Sequence, residues 1–212
     1  DLLRGASNYD DETYSLSDTW ENLSDADNAE TVDEATSYAI SDIETADLTD
    51  LSVAQATLLF GADNETETYS YSISDFASAI TTALTDDEDP LNLSEADTIT
   101  HTNTDLAGEP GATGTNDVID IFVFSAAMDD DGSVTINMFE AGEDTPTDII
   151  NLSAIVDLTF EDLTIDQSGI GDGNVSIEVD IGDGNTFTIE LTGVTGDGIT
   201  ADHFVFFEVV GP

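Results

Sequence analysis

The chain has 212 residues, of which 48 are Asp or Glu and one, Arg4, is basic, so its formal net charge is −47 with both histidines neutral. Nucleic acids, anionic membranes and phosphorylated substrates are held by Lys and Arg, so this balance counts against all three as partners and favours cations. The absence of Cys removes disulfides, thiolate metal sites and cysteine nucleophiles, while a 39% hydrophobic content is enough for a core and argues against an acidic disordered tail.

Along the first ninety residues one phrase recurs. Tyr14-Ser-Leu-Ser-Asp18, Tyr38-Ala-Ile-Ser-Asp42 and Tyr71-Ser-Ile-Ser-Asp75 share the form Tyr-x-(Leu or Ile)-Ser-Asp, at spacings of 24 and 33 residues. Apolar and small polar residues alternate within each copy, which is strand periodicity, and the closing Ser-Asp is suited to capping a helix. Helices are expected next. Ser52 to Phe60 reads as one, ending at Gly61, and Phe76 to Leu84 as another, with Phe76, Ile80 and Leu84 on one face. Strand, cap and short helix form a unit too small to bury its own apolar side, so residues 1–88 are expected to stack as a repeat array.

Between residues 89 and 113 the text turns acidic and rich in Pro and Gly, as in Asp89-Pro90 and Gly108-Glu-Pro-Gly111, and reads as a linker or an ordered acidic loop. From residue 114 to 212 a different domain is expected. Ile119 to Phe124, Ser133 to Phe139, Asp148 to Leu152, Val175 to Ile181, Thr186 to Leu191 and His203 to Val210 are short, alternating and rich in β-branched or aromatic residues. They predict a β-sandwich or β-roll, with Gly182-Asp-Gly-Asn185 turning a hairpin. The fold class expected for the whole chain is therefore mostly β with some α.

Acidic residues in this half gather with Gly. Asp129-Asp-Asp-Gly132, Gly142-Glu-Asp144, Gly171-Asp-Gly-Asn174, Gly182-Asp-Gly-Asn185 and Gly196-Asp-Gly198 are loops of carboxylates, amides and tight turns. Calcium takes six to eight hard oxygens of these kinds, so Asp129, Asp130, Asp131, Asp144, Asp172, Asp183 and Asp197 are candidate calcium ligands. The same dipeptides also make hairpin turns that hold no ion. Zinc chemistry is disfavoured, because His101 and His203 are far apart and neither lies in a His-Glu-x-x-His pattern. Without Lys there is no Schiff base and no Walker-type phosphate loop, and no run of about twenty apolar residues spans a bilayer.

In order, Asp120-Ile-Phe-Val-Phe-Ser125, Ile136-Asn-Met-Phe-Glu-Ala-Gly-Glu-Asp144, Ile150-Asn-Leu-Ser153, Leu158-Thr-Phe-Glu-Asp-Leu-Thr-Ile165, Gly184-Asn-Thr-Phe-Thr-Ile-Glu-Leu-Thr-Gly-Val194 and Ile199-Thr-Ala-Asp-His-Phe-Val-Phe206 follow one another. This string, over residues 114–207, resembles the C-terminal domain of RTX-type proteins exported by type I secretion. The resemblance implies a β-rich domain stabilised by calcium, with an uncleaved C-terminal export signal, and it adds Asp117, Asp120 and Asp148 to the candidate ligands beside Asp144. The tandem Gly-Gly-x-Gly-x-Asp nonapeptide is reduced to one echo at Gly114-Thr-Asn-Asp-Val-Ile119, Asn137-Met138 stands where the pattern has Asp before Phe, and Thr145-Pro-Thr147 is inserted. The N-terminal phrases more loosely resemble repeats of long bacterial surface adhesins.

The expected function is that of a non-catalytic, extracellular, calcium-binding structural protein that self-assembles as a homo-oligomer or polymer in a surface layer, sheath or filament at the cell surface. The alternative is a non-catalytic export and folding module of a larger RTX adhesin or secreted hydrolase. A carbohydrate-active enzyme would rest only on the abundance of carboxylates and on Trp20.

Overall fold

Alternation along the strands decides what faces inward. The computed structural model describes residues 13–64, 70–85, 93, 96–102, 112–115, 117–125, 132–142, 147–182, 184–196 and 198–207, and it is mostly β with some α. The first two phrases form strands β1 (Ser15–Asp18) and β2 (Ser37–Ile40), which pair in parallel with Leu16 opposite Tyr38. Aligning the phrases would instead set Leu16 against Ile40. The observed offset of two residues keeps every side chain on its proper face, because the strand period is two. The third phrase lies in β3 (Ser72–Phe76), whose Ile73 also bridges Leu51 in parallel.

Helices α1 (Trp20–Leu23) and α2 (Ala29–Asp33) follow β1, α3 (Val53–Gly61) follows β2, and α4 (Ala77–Thr85) follows β3. Ser52 caps α3 through a capping box with Gln55. The acids of the repeated phrase do cap helices, but helices of the preceding unit. Asp42 Oδ1 accepts the Trp20 N–H at 2.7 Å and Asp75 Oδ2 accepts the Val53 N–H at 2.9 Å, each reaching back 22 residues to the first residue of a helix. The tyrosines act in the other direction. Tyr14 donates to the Thr31 carbonyl and Tyr38 to the Leu58 carbonyl, both at 2.7 Å, so each fastens the helix that comes after it. Gly61 is required by this contact, since a Cβ there would strike the Tyr38 hydroxyl. The first two units are thus latched by a tyrosine and by the acid of the next phrase, which helps short helices persist that would not form in isolation.

One expectation for α4 is corrected. Phe76 ends β3 and is 53% exposed, while Ala77 and Ile80 carry the buried face. The cause is Asp75, whose Oδ1 accepts the Phe76 N–H at 2.7 Å and holds that residue extended.

Two five-stranded sheets follow. One has the order β14 (Phe204–Val205), β9 (Ile149–Asn151), β6 (Ile119–Val123), β4 (Thr98–Thr102), β3, and every pairing in it is parallel. The other has the order β10 (Leu163–Asp166), β11 (Asn174–Gly182), β12 (Asn185–Thr192), β7 (Ser133–Asn137), β5 (Ala112–Thr113). Its β11 and β12 form the expected antiparallel hairpin. The short strands β8 (Glu140–Ala141) and β13 (Thr195–Gly196) pair in parallel. The two large sheets share one core, in which Phe122, Phe124, Ile150 and Leu152 meet Ile136, Ile177, Phe187 and Ile189. Phe124 and Phe187 touch edge to face across it, with ring centroids 6.1 Å apart. A second core, under the helices, joins Leu23, Ile40, Leu51, Leu59, Ile73, Ile80 and Ile99. The stretch 89–113 contributes β4 and β5, so the parallel sheet passes from the repeats into the C-terminal half through β4.

Candidate cation site

Strand β6 carries an acid on its inner face. Burial alternates along Ile119–Val123, and the inward positions are Asp120 and Phe122. The neighbouring β4 alternates in the same way and turns Ile99 and His101 inward. Opposite partners His101 and Phe122 stack at 4.6 Å, and His101 Nε2 lies 2.7 Å from Asp120 Oδ1. Both residues of that hydrogen-bonded pair are 0% exposed.

Two more acids complete the cluster. Asp148, at the entry to β9, is also fully buried, and Glu140 on β8 is nearly so. Their oxygens are fixed by main-chain donors. Asp148 Oδ1 accepts the Asp120 N–H at 3.0 Å and Oδ2 accepts the Glu140 N–H at 2.9 Å. Asp120 Oδ2 accepts the Thr115 N–H at 2.6 Å, and Glu140 Oε2 accepts the Asp117 N–H at 3.0 Å. Asp148 therefore ties together the strands β6, β8 and β9.

Burial drives the protonation of these groups. It pushes the Asp148 carboxyl up to about 8, helped by the charges of Asp120 and Glu140 and opposed by the two N–H donors. Asp120 is raised for the same leading reason, against the hydrogen bond and charge of His101, and Glu140 is raised by burial. Carboxylates in a low-dielectric interior require a proton or a cation.

Three oxygens converge on the bare face of Gly114. The point where a Cβ at residue 114 would stand is 2.8 Å from the Met138 carbonyl oxygen, 3.4 Å from Asp120 Oδ2 and 3.4 Å from Asp148 Oδ2. A Cβ 2.8 Å from the Met138 oxygen would clash, so glycine is what lets that carbonyl and the two carboxylates crowd together; calcium takes hard oxygens of these kinds at about 2.3–2.6 Å. Met138 offers its carbonyl from a left-handed backbone, φ 59°. Thr115, buried next to Gly114, has a hydroxyl oxygen with no hydrogen-bond partner among the described residues. Hard oxygens brought together beside buried negative charge are the donor set that a calcium ion takes.

Of the ten candidate ligands, the structure brings Asp117, Asp120 and Asp148 to this cluster, Asp117 through its backbone N–H. Asp172 stands apart from it in the hydrogen-bonding pattern, exposed in a 3-10 turn at Ile170–Asp172. Asp129, Asp130, Asp131, Asp144, Asp183 and Asp197 lie outside the described residues. Among the described residues no three His, Asp or Glu side chains are placed to hold one metal ion. The oxygens at Gly114 are instead a mixed set of two carboxylates and a main-chain carbonyl. Gly114, Met138, Glu140 and His101 were not anticipated as parts of a site. The alternation of Thr98–Thr102, with Ile99 and His101 on one face, was the available signal for His101.

Compared with family models, with curated proteins and with solved structures, the chain matches none. The site is therefore argued from its own geometry.

Proposed function

We propose that the protein is an extracellular calcium-binding structural protein, a self-assembling subunit of a bacterial surface layer, sheath or filament that reaches the outside by type I secretion. The observation that carries this reading is the convergence of Met138 O, Asp120 Oδ2 and Asp148 Oδ2 on the face of Gly114. These three atoms would hold the ion, and the ion would supply charge neutralisation. What the chain's own residues do is mechanical. Asp148 joins three strands, Asp120 joins β6 to β4 through His101, and Thr115 and Asp117 close the loop over them.

The role is structural rather than catalytic on this reading. Asp120 and His101 resemble half of a proton-relay pair, but a substrate has no approach to two side chains that are both fully buried. A calcium dependence of folding also suits export. Calcium is scarce inside cells and plentiful outside, so a chain whose core acids need the ion is loose before export and firm after it.

The test is thermal unfolding in millimolar calcium and in EGTA at matched ionic strength. A higher melting temperature in calcium supports the reading, and coincident curves refute it. A second reading, an export and folding module of a larger adhesin or hydrolase, is favoured by the resemblance of residues 114–207 to RTX C-terminal domains. The intact mass of the mature protein separates the two.

A further inference from the structure

Parallel strands present two unlike edges, and among the described residues the two-stranded sheet ends at β1 while the separate five-stranded parallel sheet ends at β14. At one end β1 pairs with β2 alone, and its Ser15, Ser17 and Asp18 are exposed. At the other, β14 pairs with β9 alone. Unpaired strand edges carry rows of N–H and C=O groups that template pairing with another chain.

The two edges differ in chemistry. Large apolar side chains that are exposed among the described residues number five, and two belong to the β14 end: Val205 on the strand and Phe207 just past it. Beneath them Phe204 packs on Phe160 and stacks on Phe206, so the strand has a firm backing. The β1 edge instead carries a carboxylate. Asp18 corresponds to Asp42 and Asp75 in the repeated phrase, but it caps its own turn, with Oδ1 accepting from the Thr19 N–H and from Asn22 Nδ2, both at 2.8 Å. A charge at an edge position is a common guard against unwanted pairing.

We infer that the β14 edge of one molecule pairs in parallel with the β1 edge of a second copy, so that molecules stack head to tail, with Asp18 as the guard that calcium relieves. A second copy is the fitting occupant because β1, β3, β4, β6, β9 and β14 already join their neighbours in parallel, and the new pairing repeats that arrangement. Contact through backbone and apolar groups is also the contact that two chains of charge −47 can make, with their repulsion screened by divalent ions. Contact between unlike surfaces grows head to tail and gives an open filament wherever the rotation between copies does not close a ring. The inference rests on the calcium-dependent structural reading above for its switch and adds the surfaces.

The experiment compares the full chain with Val205→Lys, Phe207→Asp and Asp18→Asn by sedimentation velocity and negative-stain electron microscopy, in calcium and in EGTA. Circular dichroism confirms that each variant is folded. Wild type should form long species in calcium, Val205→Lys and Phe207→Asp should remain monomeric while keeping the calcium-induced rise in melting temperature, and Asp18→Asn should assemble at several-fold less calcium. Assembly of both β14 variants like wild type, a discrete closed dimer, or a calcium-stabilised wild type that stays monomeric overturns the inference. A missing rise in melting temperature instead strikes the calcium reading, so the two failures are told apart.

Discussion

The Asp120 backbone N–H donates to Asp148 Oδ1 at 3.0 Å, so one buried acid holds the strand that carries the other. Because Asp148 Oδ2 also accepts the Glu140 N–H, the carboxyl group replaces a stretch of sheet ladder at the point where β6, β8 and β9 meet. Placing two acids in a core is costly unless something neutralises them, and both turn an Oδ2 toward the face of Gly114.

Replacing Asp148 by Asn tests that junction. An amide can accept on its oxygen but not on its nitrogen, so one of the two N–H donors loses its acceptor, at a cost of about 1–3 kcal/mol. The variant should melt lower than wild type in EGTA and should lose most of the stabilisation by calcium. Asp172→Asn, at an exposed turn, should change stability by less than about 0.5 kcal/mol. Chemical denaturation of the three proteins with and without calcium reads these differences.

In EGTA, stability should fall as pH rises. Unfolded carboxyls release protons near pH 4, while burial keeps Asp148 protonated up to about 8 and raises Asp120 and Glu140 as well. The folded state therefore binds more protons across that window, so this contribution is full below about pH 4 and lost as pH passes through 8, by about 1.4 kcal/mol per unit and per group at most. Asp18, Asp47, Asp162 and Asp166 are lowered by hydrogen bonds and act in the opposite sense near pH 4, but they are exposed and weak. Calcium should flatten the slope between pH 5 and 8 by taking the place of the proton, as melting curves over that range would show.

The repeat latches make a separate prediction. Asp75→Ala should cost about 1 kcal/mol by uncapping α3, although residue 75 lies outside that helix. Tyr38→Phe should cost a similar amount through the Leu58 carbonyl, and Gly61→Ala should cost more, because its methyl group meets the tyrosine hydroxyl. Hydrogen exchange should show the losses concentrated in residues 53–61, with the hairpin of β11 and β12 unchanged.

Much of the fold was legible because the strands from Ile119 onward alternate cleanly and the hairpin turn is glycine-rich. The helix read from Ser52 to Phe60 was found one residue on, because Ser52 stands before it as a cap that pairs with Gln55. The long-range latches were not legible. Asp42 and Asp75 look like caps for the segments that follow them, and only the stacking of units shows that they serve the helices behind. β4 was hidden because Thr-Ile-Thr-His-Thr sits in a stretch dominated by acidic, Pro and Gly residues. The site was half visible. Asp120 and Asp148 were named as ligands, but Gly114 and the Met138 carbonyl contribute backbone geometry, which residue type alone does not encode. An acid on the inner face of a strand also runs against the usual expectation that Asp faces water.

The central claim is the ion beside Gly114, and calorimetric titration of calcium into wild type and Gly114→Ala tests it most directly. The added methyl group would stand 2.8 Å from the Met138 oxygen and push that carbonyl away from the two carboxylates. Wild type should bind one more calcium per chain than the variant, whatever other loops bind, and its melting temperature should rise correspondingly further. Equal stoichiometry and affinity in the two proteins, with the variant folded, would contradict the account.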